Sequence, residues 1–251
     1  MQHEVTVTAN VYCDHRTRQN APRGFGMFAV IAGAALAVYV APKAIASAYD
    51  AVSGGSFAHV VNQGESKSRG YEDWNNCPST RRCLSNAADR DITSMTVGEL
   101  LEAMARRGTR GGIFAAGIWQ VTYDPLKEAV RAGVVARHEQ FTPEVQNRIF
   151  VGYLAKGKRP SIYRAVRDGS GYEQAAHDAA REWAALKSPI LGRGVHDKRG
   201  VNKATIDSRV VIASLKKAHQ DYKKALDAGL NSDDAYAVAL GVKQFNTGNS
   251  I

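Results

Sequence analysis

Apolar residues recur at intervals of three and four over most of the chain, which is the period of an α-helix buried along one face. The stretches with this period are 57–65, 91–104, 143–155, 162–166, 172–186, 205–228 and 232–239. Glycine-rich and polar segments separate them, as expected of loops. The pattern predicts a mainly α domain.

Residues suited to begin helices stand ahead of several stretches. Ser56, Thr96 and Ser232 are expected N-caps, and Thr142 precedes Pro143, a residue favoured at the first helical position. Residues expected to point inward in the later helices are Trp183, Leu186, Ile206, Val210, Ile212, Leu215 and Tyr222.

An N-terminal run differs because it has no polar face. Residues 24–41 contain no charged side chain, and as a helix these 18 residues would span about 27 Å, slightly less than a ~30 Å hydrocarbon core. Three arginines occur within residues 1–23, whereas only Lys43 follows before Lys67. The positive-inside rule therefore predicts a transmembrane or signal-anchor helix over 24–48 with the following domain outside the cytoplasm.

Other interpretations of this run remain open. Ala44-Ile45-Ala46 and Ala46-Ser47-Ala48 fit signal-peptide cleavage, although the apolar run is longer than usual for a signal peptide. A buried helix of a soluble domain is a further alternative, disfavoured by the missing polar face. We expect a cytoplasmic segment 1–23, the helix 24–48, a globular domain 49–230, and a C-terminal helix and tail 231–251.

Charge and cysteines limit the possible partners and sites. The 251 residues carry a net charge of +9, which attracts polyanions in general. Nucleic-acid binding through the basic clusters 156–159 and 193–199 is an alternative that the membrane segment disfavours. Cys77 and Cys83 lie in one polar loop and could form a disulfide outside the cytoplasm. No second cysteine or histidine pair stands at ligand spacing, so no metal or other cofactor is expected.

Glu65 is the residue that most suggests chemistry. It lies four residues beyond Val61, on the apolar face and at the end of the first predicted helix. Partial burial and the negative end of the helix dipole both favour the protonated carboxyl and raise its pKa. A carboxylic acid that keeps its proton near pH 7 is the general acid that glycosidic cleavage requires. The alternative is an ordinary solvated glutamate.

Four motifs, in order, resemble the lysozyme-like peptidoglycan-cleaving enzymes of bacteriophages, and most closely the lytic transglycosylase type of phage lambda endolysin. They are Glu65, Ala116-Gly117-Ile118-Trp119-Gln120, Phe141-Thr142-Pro143 with Gln146, and Trp183-Ala184-Ala185-Leu186. The resemblance covers roughly residues 50 to 225. This chain has Ile118-Trp119-Gln120 where the family usually has Arg-Tyr-Gln, and its Cys77–Cys83 loop has no counterpart in the pattern.

The resemblance implies an α+β lysozyme-like domain that cuts the bond between N-acetylmuramic acid and N-acetylglucosamine, with Glu65 as acid and then base. A hydrolase would need a second carboxylate, for which Asp73 is the candidate. The substrate-binding residues expected are Tyr71, Asn75, Trp119, Gln120 and Gln146. Core packing and backbone hydrogen bonding are the alternative roles of Trp119 and Gln120.

The same resemblance implies a location and partners. The apolar segment would hold the enzyme in the bacterial inner membrane through residues 24–41, with the catalytic domain in the periplasm, and signal-anchor-release endolysins have similar segments. Phage lysis or virion proteins are further expected partners. A virion or membrane structural protein that keeps the fold without activity is the remaining alternative.

Overall fold

The computed structural model describes residues 55–66, 69–76, 90–197 and 203–242, and within them the fold is mainly helical, as the periodicity predicts. Its α-helices are α1 (Phe57–Glu65), α2 (Val97–Ala105), α3 (Tyr123–Arg131), α4 (Pro143–Arg148), α5 (Pro160–Asp168), α6 (Tyr172–Glu182), α7 (Ser208–Asp227) and α8 (Ser232–Leu240). A π-helix, Ile149–Lys158, continues α4 directly, and a 3₁₀ turn, Gly70–Glu72, precedes the first strand.

A small antiparallel sheet completes the described fold. Its strands are β1 (Trp74–Asn75), β2 (Ala115–Ala116) and β3 (Val121–Thr122), with β2 in the middle. Trp74 lies opposite Ala116, and Ala116 lies opposite Val121. Two strands are joined by residues 117–120, so the glycine and the Trp-Gln pair of the second motif form a hairpin loop.

Three predicted helix starts are confirmed. The Ser56 hydroxyl accepts the His59 N–H at 3.2 Å, and Thr142 caps α4 with Pro143 as its first residue. Thr96 and Glu99 form a reciprocal capping box at the start of α2. These caps satisfy backbone donors that a helix leaves unpaired at its N-terminus.

Several predicted boundaries were wrong. The helix predicted from Pro143 to 155 continues in π-helical form to Lys158, just before Arg159-Pro160, because a proline disfavours helix in the preceding residue. Asn231 rather than Ser232 caps α8. The long helix begins at Ser208, not 205, because Asp207 caps it.

The helix predicted over 172–186 ends at Glu182, and this difference matters for the site. Trp183 is extended, with φ −113° and ψ 120°, yet Trp183 and Leu186 are buried as predicted. The chain leaves the helix so that Leu186 can pair with Ile206 and the Ala185 N–H can reach Glu65. Tertiary hydrogen bonds here outweigh the helical periodicity.

The core centres on four aromatic rings from separate parts of the chain. Phe150, in the π-helix, stacks on Trp119 with ring centroids 3.9 Å apart. Phe57 of α1 and Trp183 lie 6.2 and 5.5 Å from Phe150, and 5.7 Å from each other. The cluster therefore fixes α1, the hairpin loop and the segment after α6 against one another.

The C-terminal helices form the second part of the core. Helices α5 and α7 pack on each other and on both α6 and α8, and α1 packs on α7. Tyr236 of α8 is fully buried, and its hydroxyl donates to the Ala155 carbonyl oxygen at 3.2 Å. Leu215 and Tyr222 are buried as predicted, but Val210 was wrongly predicted to point inward and is 47% exposed.

Membrane-spanning character is not found among the described helices, none of which combines the length and hydropathy needed to cross a bilayer. The predicted transmembrane segment 24–48 lies outside the described residues.

Replacing Phe150 with alanine tests the aromatic cluster. Loss of the ring should lower the free energy of unfolding by about 3–5 kcal/mol, because it leaves a cavity among three other buried aromatic rings. Val210→Ala, at an exposed position of α7, should change it by no more than about 0.5 kcal/mol. Denaturant unfolding measures both, and equal effects of the two substitutions would contradict the central position of Phe150.

Candidate active site

Glu65 occupies the last position of α1. The residues Phe57, Ala58, Val60 and Val61 bury one face of this short helix, while His59 is exposed. Glu65 itself is half-buried and follows Gly64. A side chain at Gly64 would place its Cβ 2.3 Å from the Ala185 Cβ, so the glycine lets the end of α1 approach the segment after α6.

That close approach produces the main contact of Glu65. Its Oε1 accepts a hydrogen bond from the backbone N–H of Ala185 at 2.8 Å. Ala185 belongs to the Trp183–Leu186 motif, so the structure brings the first and last motifs of the sequence together. The sequence analysis missed this contact, because no local pattern shows which carboxylate a loop N–H will meet.

Burial is the largest influence on the pKa of Glu65 and raises it above 4.5, the direction predicted from the apolar face. The N–H groups of Ala185 and Ala184 stabilise the ionised carboxylate and partly oppose this effect. The negative charge of Glu182 raises the pKa further. The balance favours a carboxyl that holds its proton at higher pH than a solvated glutamate.

Gln146 is fully buried rather than facing a groove. Its Oε1 accepts the Ile118 N–H, and its Nε2 donates to the carbonyl oxygens of Tyr71 and Phe141, each at 3.0 Å. A Cβ at Gly117 would lie 2.2 Å from this Oε1, which explains the glycine and its φ of +75°. Gln146 therefore holds the hairpin loop and the 3₁₀ turn together, and the structure gives it a supporting position.

Asn147 was missed by sequence reasoning, although it links two predicted site residues. Its Oδ1 accepts the indole N–H of Trp119 at 3.1 Å, and its Nδ2 donates to the Tyr71 hydroxyl at 3.0 Å. Trp119 is 4% exposed and stacked on Phe150, so packing is its role in the structure. Tyr71 is half-buried and retains some access to solvent.

Asn75 and Gln120 are also brought together. The Asn75 side-chain amide donates to Gln120 Oε1 at 2.7 Å, and Gln120 Nε2 donates to the Gly117 carbonyl oxygen at 2.9 Å. Gln120 has a φ of +48°, the left-handed region that non-glycine residues rarely adopt. Both side chains are partly buried at the hairpin loop, where a polar ligand could still contact them.

Asp73, the predicted second carboxylate, ends the 3₁₀ turn, and its carbonyl oxygen accepts the Gly117 N–H at 2.6 Å. Another carboxylate, that of Glu182 at the end of α6, raises the pKa of Glu65 through its charge. Its position could not be found from sequence spacing, since it depends on how α6 packs against α1.

Two further predictions concern ligation. The predicted disulfide partners Cys77 and Cys83 lie outside the described residues. Among the residues that the structure does describe, no three histidine, cysteine, aspartate or glutamate side chains are grouped so that they could hold a metal ion.

Comparisons with protein-family models, curated proteins and solved structures found no match for this chain.

The raised pKa of Glu65 should appear as a dependence of stability on pH. A carboxyl that binds its proton more tightly in the folded state stabilises the fold below its unfolded pKa, and this stabilisation is lost as pH rises through the folded value. Glu65→Gln removes that loss, so its unfolding free energy relative to wild type should increase as pH rises from 4.5. Denaturant unfolding at pH 4 and pH 8 measures the change; the exposed Glu173→Gln is the control. A difference that falls with pH would contradict a raised pKa.

Proposed function

We propose that this protein cleaves the β-1,4 bond between N-acetylmuramic acid and N-acetylglucosamine in peptidoglycan, with Glu65 as general acid and base. The observation that carries this proposal is the Glu65 carboxyl at the end of α1, half-buried, with a raised pKa and one oxygen fixed by the Ala185 N–H. The mainly helical fold with a small three-stranded sheet is compatible with the lysozyme-like family that the sequence motifs resemble.

The hydrogen bond determines which oxygen of Glu65 can act. Because Oε1 accepts the Ala185 N–H, the proton of the neutral acid belongs on Oε2. Glu65 would then protonate the bridging oxygen of the glycosidic bond from Oε2, and the departing sugar would leave a carboxylate behind. The N–H groups of Ala184 and Ala185 stabilise that carboxylate, which makes the proton easier to release.

The second half of the proposed reaction is an intramolecular attack. The Glu65 carboxylate takes the proton of the muramoyl 6-hydroxyl, whose oxygen bonds to the anomeric carbon of the same sugar and gives a 1,6-anhydro product. This lytic transglycosylase route needs no second enzyme carboxylate. Glu182, which raises the pKa of Glu65, is nearly buried and paired with two cations, so it is unsuited to be the second carboxylate of a hydrolase. A hydrolytic muramidase that uses Glu65 and Asp73 is the alternative.

Asn75, Gln120 and Tyr71 are the polar groups that we propose for substrate binding. They are partly exposed and fixed by hydrogen bonds to the hairpin loop or to Asn147, so little side-chain freedom would be lost on binding. The proposed setting is the periplasm, with residues 24–48 as a membrane anchor, in a phage endolysin or a virion-associated lysin.

Mass spectrometry of the muropeptides released from purified peptidoglycan tests this function. The full-length protein should release products that lack one water relative to hydrolytic products, because the anhydro ring replaces the reducing end. Glu65→Gln should lower the rate roughly 100-fold or more, the usual contribution of a general acid. Glu173→Gln, the same change at an exposed site in α6, should retain full activity.

Other products would change the conclusion. Muropeptides with a reducing muramic acid would show hydrolysis and refute the transglycosylase mechanism. No released glycan, or equal rates for wild type and Glu65→Gln, would refute catalysis by Glu65 and favour a non-catalytic structural protein.

A further inference from the structure

Glu182 is a nearly buried carboxylate that the proposed reaction does not itself use. Its side chain is 8% exposed and accepts Lys158 Nζ at 3.0 Å, Arg159 Nη2 at 3.0 Å and Arg159 Nε at 3.1 Å. Arg159 Nη2 also donates to the Arg181 carbonyl oxygen at 3.3 Å. Burying a carboxylate carries a desolvation penalty, which the two cations offset only in part, so the presence of the triad requires an explanation.

The ion triad of Lys158, Arg159 and Glu182 joins three helices where each begins or ends. Lys158 is the last residue of the π-helix, Arg159 directly precedes α5, and Glu182 is the last residue of α6. Three residues after Glu182 comes Ala185, whose N–H holds Glu65. The triad therefore fixes the point at which the chain leaves α6 to meet α1.

Glu182 also acts on Glu65 through its charge. Within the described ranges Glu65 forms no ion pair, and Glu182 is the charged side chain that influences it. Two negative carboxylates near one another disfavour ionisation of the less well paired one. Glu182 has two cationic partners, whereas the partners of Glu65 among the described residues are backbone N–H groups, so the proton belongs on Glu65.

We infer that Glu182 is a positioning residue for Glu65, an inference that depends on the proposed function. Through the ion triad it holds the Trp183–Leu186 segment against α1, and its fixed negative charge adds to the effect of burial in favouring the protonated acid. The reacting proton still passes through Glu65 alone.

Other charged or titratable groups surround the triad. Arg181 and Asp178 lie on α6, and Asp178 accepts a hydrogen bond from the hydroxyl of Ser161 in α5. The charges of Glu182 and Arg159 both influence Tyr153 of the π-helix. Burial, together with the hydrogen bond to Glu128, raises the pKa of Tyr153. His196 Nε2 lies 3.1 Å from the Arg181 carbonyl oxygen, so His196→Gln is a control substitution close to the triad.

The pH dependence of peptidoglycan cleavage by the full-length protein tests this inference. Glu182→Gln removes the negative charge and should move the basic limb of the rate profile to lower pH, with roughly three- to tenfold lower rates on that side. Lys158→Met removes a cation from the same triad, and the loss of a positive charge cannot stabilise the ionised form of Glu65. The basic limb of this variant should therefore stay at the wild-type pH or move to higher pH.

Glu182→Gln and Lys158→Met both break the triad but remove charges of opposite sign, so together they separate the effect of charge from that of structural support. Lys217→Met, which breaks the partly buried pair of Lys217 with Asp221 elsewhere in α7, and His196→Gln should leave the limb unchanged. A uniform loss of rate in Glu182→Gln with no shift, or the same downward shift in Lys158→Met, would overturn the inference. If Glu182→Gln does not fold alone, the double variant with Lys158→Met avoids an unpaired buried cation, and its limb should lie at lower pH than that of Lys158→Met alone. Equal limbs in these two variants, which differ only at Glu182, would overturn the inference.

A measurement without substrate keeps this inference distinct from the proposed function. In the Glu182→Gln background, Glu65→Gln should gain less stability between pH 4 and pH 8 than it gains in the wild-type background, because Glu65 then binds its proton less tightly. An unchanged gain would overturn the role of Glu182 even in an active enzyme. An inactive protein with the expected smaller gain would refute the function alone.

Discussion

The hydrogen bond from the Ala185 N–H to Glu65 connects the two parts of the chain on which the site depends. It forms only because Gly64 lets α1 approach the segment after α6, and because that segment leaves the helix at Trp183. The aromatic cluster also holds α1 against the segment after α6, because Phe57 of α1 and Trp183 both pack on Phe150. A carboxyl fixed in this way has little freedom to turn into solvent and recover its hydration.

The aromatic rings fix the position of α1, and two buried side-chain amides fix the position of the sheet. Gln146 and Asn147 are consecutive residues of α4, and between them they bond the 3₁₀ turn, the hairpin loop and the Trp119 indole. Buried polar groups satisfied this fully fix one arrangement, since any shift would leave donors or acceptors unpaired. The polar residues Asn75, Gln120 and Tyr71 are thereby held in fixed positions.

The sequence predicted the features that depend on neighbouring residues. The caps at Ser56, Thr96 and Thr142, the helical content and the burial of Trp183 follow from local spacing and side-chain chemistry. It failed where distant groups compete with the local pattern, as at the end of α6, where a bond to Glu65 replaces another helical turn. Val210 fits the helical period but faces solvent, because periodicity does not show which face meets α5 and α8.

In the candidate site, too, the sequence predicted what depends on neighbouring residues and missed what depends on distant ones. Glu65 was found from its place on an apolar face, and the direction of its pKa shift follows from that burial. The partners that refine the site, Ala185, Glu182 and Asn147, lie far from it in sequence and were found only in the folded structure. Trp119 and Gln146 carry a family-like motif, yet their hydrogen bonds and packing place them in support of the site.

Burial in the fold raises the pKa of Glu65, so this carboxyl keeps its proton at a pH where a solvated glutamate has lost it. Carbon-13 NMR titration of the side-chain carboxyl groups, with the Glu65 signal assigned by its loss in Glu65→Gln, measures this directly. A midpoint above 4.5 is expected, together with a dependence on Glu182. A midpoint at or below 4.5 would show that the Ala184 and Ala185 N–H groups outweigh burial, and Glu65 could not serve as the proposed acid.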